Sequence, residues 1–202
     1  TTTVTGVRTE AYNGTAWTEV NDLNTGRRYL KGAGTATAAV TIGGGEPQGN
    51  QTETWNGTNW TEVNDLNVGR YALAGAGSNT AALAIGGNLK PPAGNVENWN
   101  GTNWTSVNSL QTSPARYGLA GTGTNTAALA VGGYAPYKQD VELWNGTNWT
   151  EVNNLNQGRG DTAASGSSTA ALAAGGNAPP FSQVKNTEEW GEVGGVKTIN
   201  TD

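Results

Sequence analysis

Glu53-Thr54-Trp55-Asn56-Gly57-Thr58-Asn59-Trp60-Thr61-Glu62-Val63-Asn64-Asp65-Leu66-Asn67 is the stretch from which the rest of the chain can be read, because it occurs four times. It appears first as EAYNGTAWTEVNDLN from Glu10, then as ENWNGTNWTSVNSL from Glu97 and ELWNGTNWTEVNNLN from Glu142. A shortened copy, Glu188-Glu189-Trp190, follows near the end. The second aromatic of each full copy, Trp17, Trp60, Trp104 and Trp149, recurs at intervals of 43, 44 and 45 residues. All eight Trp fall in these slots, so the repeat is structural and not compositional.

A second element lies between the copies. It reads RYALAGAGSNTAALAIGG from Arg70, RYGLAGTGTNTAALAVGG from Arg116 and RGDTAASGSSTAALAAGG from Arg159, with a first version running from Arg27 or Arg28 to Gly43-Gly44. The short apolar run before each Gly-Gly suits a buried strand, and Asn-Gly between two Trp suits a hairpin with positive φ at both turn residues. No segment keeps a 3.6-residue period, and Gly or Asn interrupts too often for a helix. Four short strands per repeat of about 43–46 residues is the spacing of a propeller blade. The Ala- and Gly-rich pair is expected near the axis and the Trp between blades. The expectation is thus an all-β, single-domain propeller over residues 1–202.

The motifs resemble the kelch repeat: two aromatics about six residues apart, a Leu, an Arg, and a strand ending in Gly-Gly. Trp99, Trp104, Leu110, Arg116 and Gly132-Gly133 supply one set. Trp55, Trp60, Leu66, Arg70 and Gly86-Gly87 supply another, and Trp144, Trp149, Leu155, Arg159 and Gly175-Gly176 a third. Trp replaces the usual first Tyr, and Ala stands just ahead of Gly-Gly, as Ala84, Ala130 and Ala173, where the family prefers a bulkier aromatic. The wording of the repeats is also similar to kelch-like repeat proteins of marine bacteriophages. That resemblance implies a virion or extracellular location: a structural protein, tail fibre or adhesin that attaches to the host.

Blade number is less direct. Four Arg-to-Gly-Gly halves face five Glu-x-aromatic halves, so the chain starts in mid-repeat. Five blades are expected, with Val196–Thr201 as an inner strand of the first. The alternative is four, with the amino-terminal hairpin paired to the last Arg-to-Gly-Gly half. A larger ring or longer chain is a third arrangement.

Composition narrows the function. The chain has no Cys, His or Met, which removes thiolate and imidazole chemistry, disulfides and the usual soft metal ligands. His-dependent copper oxidases built on kelch propellers are excluded, and neither a cofactor nor a metal is expected. The net charge of -5 argues against nucleic acid, which requires a basic surface, and no apolar run approaches a membrane span. The chain is expected not to be an enzyme. Glycan hydrolysis through the non-repeating Glu46 and Asp140 is the enzymatic rival, and a kelch-type intracellular adaptor is another.

Arg70, Arg116 and Arg159 are read as structural, hydrogen-bonded to neighbouring carbonyls or paired with a Glu of the adjacent blade, with Glu53, Glu97, Glu142 and Glu188 as the expected partners, and the Trp pairs as buried. Recognition is assigned to the segments after each Gly-Gly: EPQGNQT from Glu46, NLKPPAGN from Asn88, YAPYKQD from Tyr134 and NAPPFSQVKN from Asn177. They occupy one point of the repeat, hence one face of a propeller, and hold six of the seven Pro. Tyr134, Tyr137, Lys138, Phe181 and Lys90 are the candidate binding residues, since aromatics on a stiffened backbone lose little entropy on binding. The expected partners are a host-surface glycan or protein, or other virion proteins, in a homo-oligomer or larger assembly. A secreted lectin-like propeller is the alternative, to which eight Asn-x-Thr sequons would add glycosylation.

Overall fold

A computed structural model describes residues 6–45, 49–88, 95–112, 116–134, 136–191 and 197–199. The repeat folds into four four-stranded antiparallel blades. The first consists of β3 (Lys31–Thr35), β4 (Ala38–Ile42), β5 (Thr52–Trp55) and β6 (Trp60–Val63). The second consists of β7 (Ala74–Gly77), β8 (Ala82–Ile85), β9 (Val96–Trp99) and β10 (Trp104–Val107). The third is β11 (Ala120–Gly123), β12 (Ala128–Val131), β13 (Val141–Trp144) and β14 (Trp149–Val152). The fourth is β15 (Ala163–Gly166), β16 (Ala170–Ala174), β19 (Thr187–Gly191) and β20 (Lys197–Ile199). A two-stranded ribbon, β1 (Thr9–Tyr12) with β2 (Trp17–Val20), precedes them, and a small ribbon of β17 (Asn177–Ala178) and β18 (Ser182–Gln183) sits in the last long loop.

The hairpin between the paired Trp differs from the expected two-residue turn. Gly57 alone has positive φ, at 92°, and Asn56 contributes through its side chain. Its Oδ1 accepts the N–H groups of Thr58 (2.9 Å) and Asn59 (2.8 Å), closing a four-residue loop. That register puts Trp55 opposite Trp60, with ring centroids 5.3 Å apart. Trp99–Trp104 and Trp144–Trp149 repeat the pairing at 5.2 Å each.

The core lies between blades. Trp99 and Trp104 pack on Val40 and Ile42 of the preceding blade, and Trp144 and Trp149 on Leu83 and Ile85. Each fully buried ring contributes up to about 3 kcal/mol. The inner strands follow one another as β3, β7, β11 and β15. They surround an axial cavity of about 250 Å³ lined by small residues, among them Gly32, Ala74, Gly75, Ala120 and Ala164. Neighbouring inner strands approach closely beside it: a Cβ on Gly121 would lie 3.0 Å from both the Ala74 Cβ and the Gly75 carbonyl oxygen, which favours Gly at that position. Gly132 and Gly133 close the second strand of the third blade with φ of 61° and 115°. A Cβ on Gly132 would lie 2.5 Å from the Arg159 carbonyl oxygen of the next blade.

Neither expected closure occurs. Lys197–Ile199 pairs with β19 and completes the fourth blade, so it is not the inner strand of a fifth. The amino-terminal hairpin does not pair with β16 either, because β16 is already flanked by β15 and β19. The alternative number, four complete blades, is the one observed, with β1–β2 as an additional outer half. Burial reflects this arrangement. Trp17, on the half-blade, is 67% exposed, and Leu172, which occupies the slot of the buried Leu83 and Leu129, is 45% exposed.

Candidate recognition face

The repeated charged residues build the scaffold beneath the loops. Arg116 Nη2 lies 2.7 Å from Glu142 Oε1, and Arg27–Glu53, Arg70–Glu97 and Arg159–Glu188 match it at 3.0, 3.2 and 2.8 Å. All eight side chains are buried. Burial pulls the guanidinium pKa values down from the usual range, and the charge of the paired Glu opposes that shift. The pairs are within one blade, not between adjacent blades as expected from sequence. The link to the neighbour comes from the second carboxylate oxygen. Glu97 Oε2 accepts the N–H of Asn67, and Glu142 Oε2 that of Gln111, both on the connector arriving from the preceding blade. Arg27 fills the slot in the first blade, with Arg28 in the place taken elsewhere by Tyr71 and Tyr117.

One residue beyond each of those positions the chain turns left-handed: Tyr29, Ala72, Gly118 and Asp161 have φ of 59°, 50°, 59° and 52°. Their backbones bond from blade to blade. Ala72 N–H donates to the Tyr29 carbonyl (3.0 Å), Gly118 N–H to Ala72 (2.7 Å) and Asp161 N–H to Gly118 (2.7 Å). The segment after Gly-Gly starts beside this series, through bridges Tyr71–Asn88, Tyr117–Tyr134 and Gly160–Asn177. These geometries bring the described loops to one face.

On that face Tyr134 and Tyr137, from one loop of the third blade, meet Phe181 from the corresponding loop of the fourth. Ring centroids run Tyr117–Tyr134 at 5.3 Å, Tyr134–Tyr137 at 5.1 Å and Tyr137–Phe181 at 5.6 Å. Phe181 is 86% exposed and Tyr117 36%, while Tyr134 and Tyr137 are half-buried between them. Phe181 has φ of 78°, a left-handed conformation costly for a side chain of its size. Its N–H donates to the Ala178 carbonyl at 2.8 Å, so a tight turn presents the ring to solvent.

The row has polar groups at its centre. The Tyr134 hydroxyl donates to Asp161 Oδ2 (2.6 Å), and Asn177 Nδ2 donates to the Tyr134 oxygen (3.0 Å). Burial, reinforced by the bond to Asp161, pushes the Tyr134 pKa up to about 12. Its ring lies against Gly118 and Gly160, and a Cβ on Gly160 would come within 2.5 Å of it. Tyr117, Asp161 and Asn177 were not singled out from the sequence. The available signal was that Asp161 stands where the other blades have Tyr29, Ala72 and Gly118, but only the fold shows what it faces.

Lys138 is otherwise engaged: Nζ lies 3.7 Å from Asp140 Oδ2, and its backbone bonds Gly133 and Arg159. Lys90 and Glu46 lie outside the described residues. The face therefore offers aromatic rings around a hydrogen-bonded Tyr–Asp–Asn group. Aromatic rings with hydrogen-bonding groups between them can stack on an apolar ligand face and exchange hydrogen bonds with its polar groups.

No protein-family model matches the chain, and no curated protein matches it. Among solved structures the chain is similar to "Structure of YjhT", with a TM-score of 0.78 and 14% sequence identity over 96% of this chain and 75% of that one. YjhT is also a propeller, so the likeness and the sheet order agree that this chain is a β-propeller of four-stranded blades.

Proposed function

We propose that the chain is a non-enzymatic recognition module that binds a host-surface glycan through its loop face, carried on a phage particle as a decoration or tail adhesin. The row Tyr117–Tyr134–Tyr137–Phe181 carries the reading. An exposed aromatic in a strained turn is costly to keep unless something covers it. The propeller supports this use, since its rigid blades display loops whose residues differ from repeat to repeat. The phage setting rests on the wording of the repeats, and neighbouring virion proteins are the other surface such a module would meet. A secreted lectin-like propeller would use the same face, and mass spectrometry of the Asn-x-Thr sites in protein from its native source separates the two.

Titration with purified envelope polysaccharide tests the binding. Phe181→Ala is expected to weaken retention by on the order of tenfold or more, as loss of an aromatic anchor does. Equal retention by wild type and variant would remove the face from consideration. Immunodetection of the chain on purified particles tests the virion setting separately.

A further inference from the structure

The half-blade β1–β2 has every fitting of a blade except its inner strands. β1 corresponds to β5: Thr9 Oγ1 accepts the Trp60 indole N–H at 3.0 Å, as Thr52 Oγ1 accepts that of Trp104 at 2.9 Å. In each blade the strand at this position pairs on both edges, whereas among the described residues β1 pairs with β2 alone. Glu10 holds the slot of Glu53, Glu97, Glu142 and Glu188. Those four are buried with an Arg, while Glu10 is exposed and has no partner among the described residues.

The first blade is correspondingly unfinished on the side that faces the half-blade. The carbonyls of Arg70, Arg116 and Arg159 each accept an N–H from the Gly-Gly of the preceding blade, namely Gly44, Gly87 and Gly133. The Arg27 carbonyl accepts none, and the Tyr29 N–H lacks the acceptor that Ala72, Gly118 and Asp161 have, among the described residues. A cavity of about 280 Å³ opens between β1 and the β3–β4 turn, with Tyr12, Trp17, Trp55 and Trp60 on its walls. Between the first and second blades Val40 and Ile42 fill the matching space against Trp99 and Trp104.

We propose that the edge of β1 takes up a β-hairpin of the chain's own Arg-to-Gly-Gly pattern, supplied from outside the four blades. Strand addition at an open edge gives affinity through backbone bonds, and here side chains set the choice. The hairpin's Arg pairs with Glu10, its Leu-x-Val or Leu-x-Ile strand lies along β1 with those side chains on Trp55 and Trp60, and its Gly-Gly donates to the Arg27 carbonyl. All four inner hairpins of this chain are committed to their own blades, so none of them fills the gap.

The probe is a synthetic peptide with the sequence of residues 116–133, titrated into the chain. One-to-one uptake is expected, with a blue shift of tryptophan emission and slowed amide exchange confined to residues 9–12 and the first blade. Glu10→Gln, which leaves an exposed site and does not threaten folding, is expected to weaken uptake by about tenfold or more. The peptide with its Arg replaced by Gln is expected to lose as much, and the two changes together little more than either. A poorly soluble peptide is bypassed by joining the same segment after Asp202 through a flexible linker and reading amide exchange of β1. Unchanged exchange in that fusion overturns the proposal. So does a blue shift that grows with the concentration of the unmodified chain alone, because a second copy would then be what covers the edge.

Discussion

At the level of single residues, the repeated Arg and Glu hold the fold as buried ion pairs. Glu142 joins Arg116 to the connector at Gln111, and neither charge reaches solvent. Removing one member leaves the other buried and unpaired, which costs more than the pair itself contributes. Glu142→Ala is therefore expected to lower unfolding free energy by about 3–5 kcal/mol in a denaturant titration. A cost near zero would mean that the guanidinium finds water, contrary to the observed burial.

Tyr134 gives a residue-scale test by pH. Its pKa is raised to about 12 in the folded protein from about 10 unfolded. The unfolded state loses this proton first, so its contribution to stability is complete below pH of about 10 and is lost as pH rises through about 12. Spectrophotometric titration is expected to show one tyrosine ionising late, and Tyr134→Phe to remove that step. Absence of a late step that Tyr134→Phe removes would contradict the bond to Asp161.

Among the strands, equivalent positions can be compared within one molecule. The first residue of β5 is Thr52, which accepts the Trp104 indole N–H, whereas β9 begins with Val96 and leaves the Trp149 indole N–H buried without a partner among the described residues. Thr52→Val is expected to destabilise by about 1–3 kcal/mol, the cost of an orphaned donor, and Val96→Thr to stabilise by up to about 1 kcal/mol. Thermal melts of both variants check this; equal and opposite shifts are not required, only opposite signs. The strands themselves were legible because Trp, Arg and Gly-Gly recur in step, and each constrains one strand end. The turn was less legible, since Asn-Gly suits a two-residue turn and only the Asn56 side-chain bonds make it a four-residue loop.

For the molecule as a whole, periodicity identified a propeller but not how its ends resolve. The repeat count depends on which sheet each terminal segment joins, and Lys197–Ile199 carries no Arg, Trp or Gly-Gly to mark its place. The face was legible in part. Tyr134, Tyr137 and Phe181 stood out as single aromatics in variable loops, yet the contact of Tyr137 with Phe181 is made between the loops of two blades, which spacing does not encode. Asp161 and Asn177 were missed because their roles exist only across loops.

The division between a repeated scaffold and a singular binding face is tested most directly by melting and binding measured on the same two variants. Trp104 is buried against the first blade, so Trp104→Ala is expected to cost about 3–5 kcal/mol and lower the melting temperature markedly. Phe181→Ala removes an exposed ring and is expected to melt with the wild type while losing retention on envelope polysaccharide. If Phe181→Ala instead melts as low as Trp104→Ala, or melts normally and binds normally, the loop face is not the recognition surface.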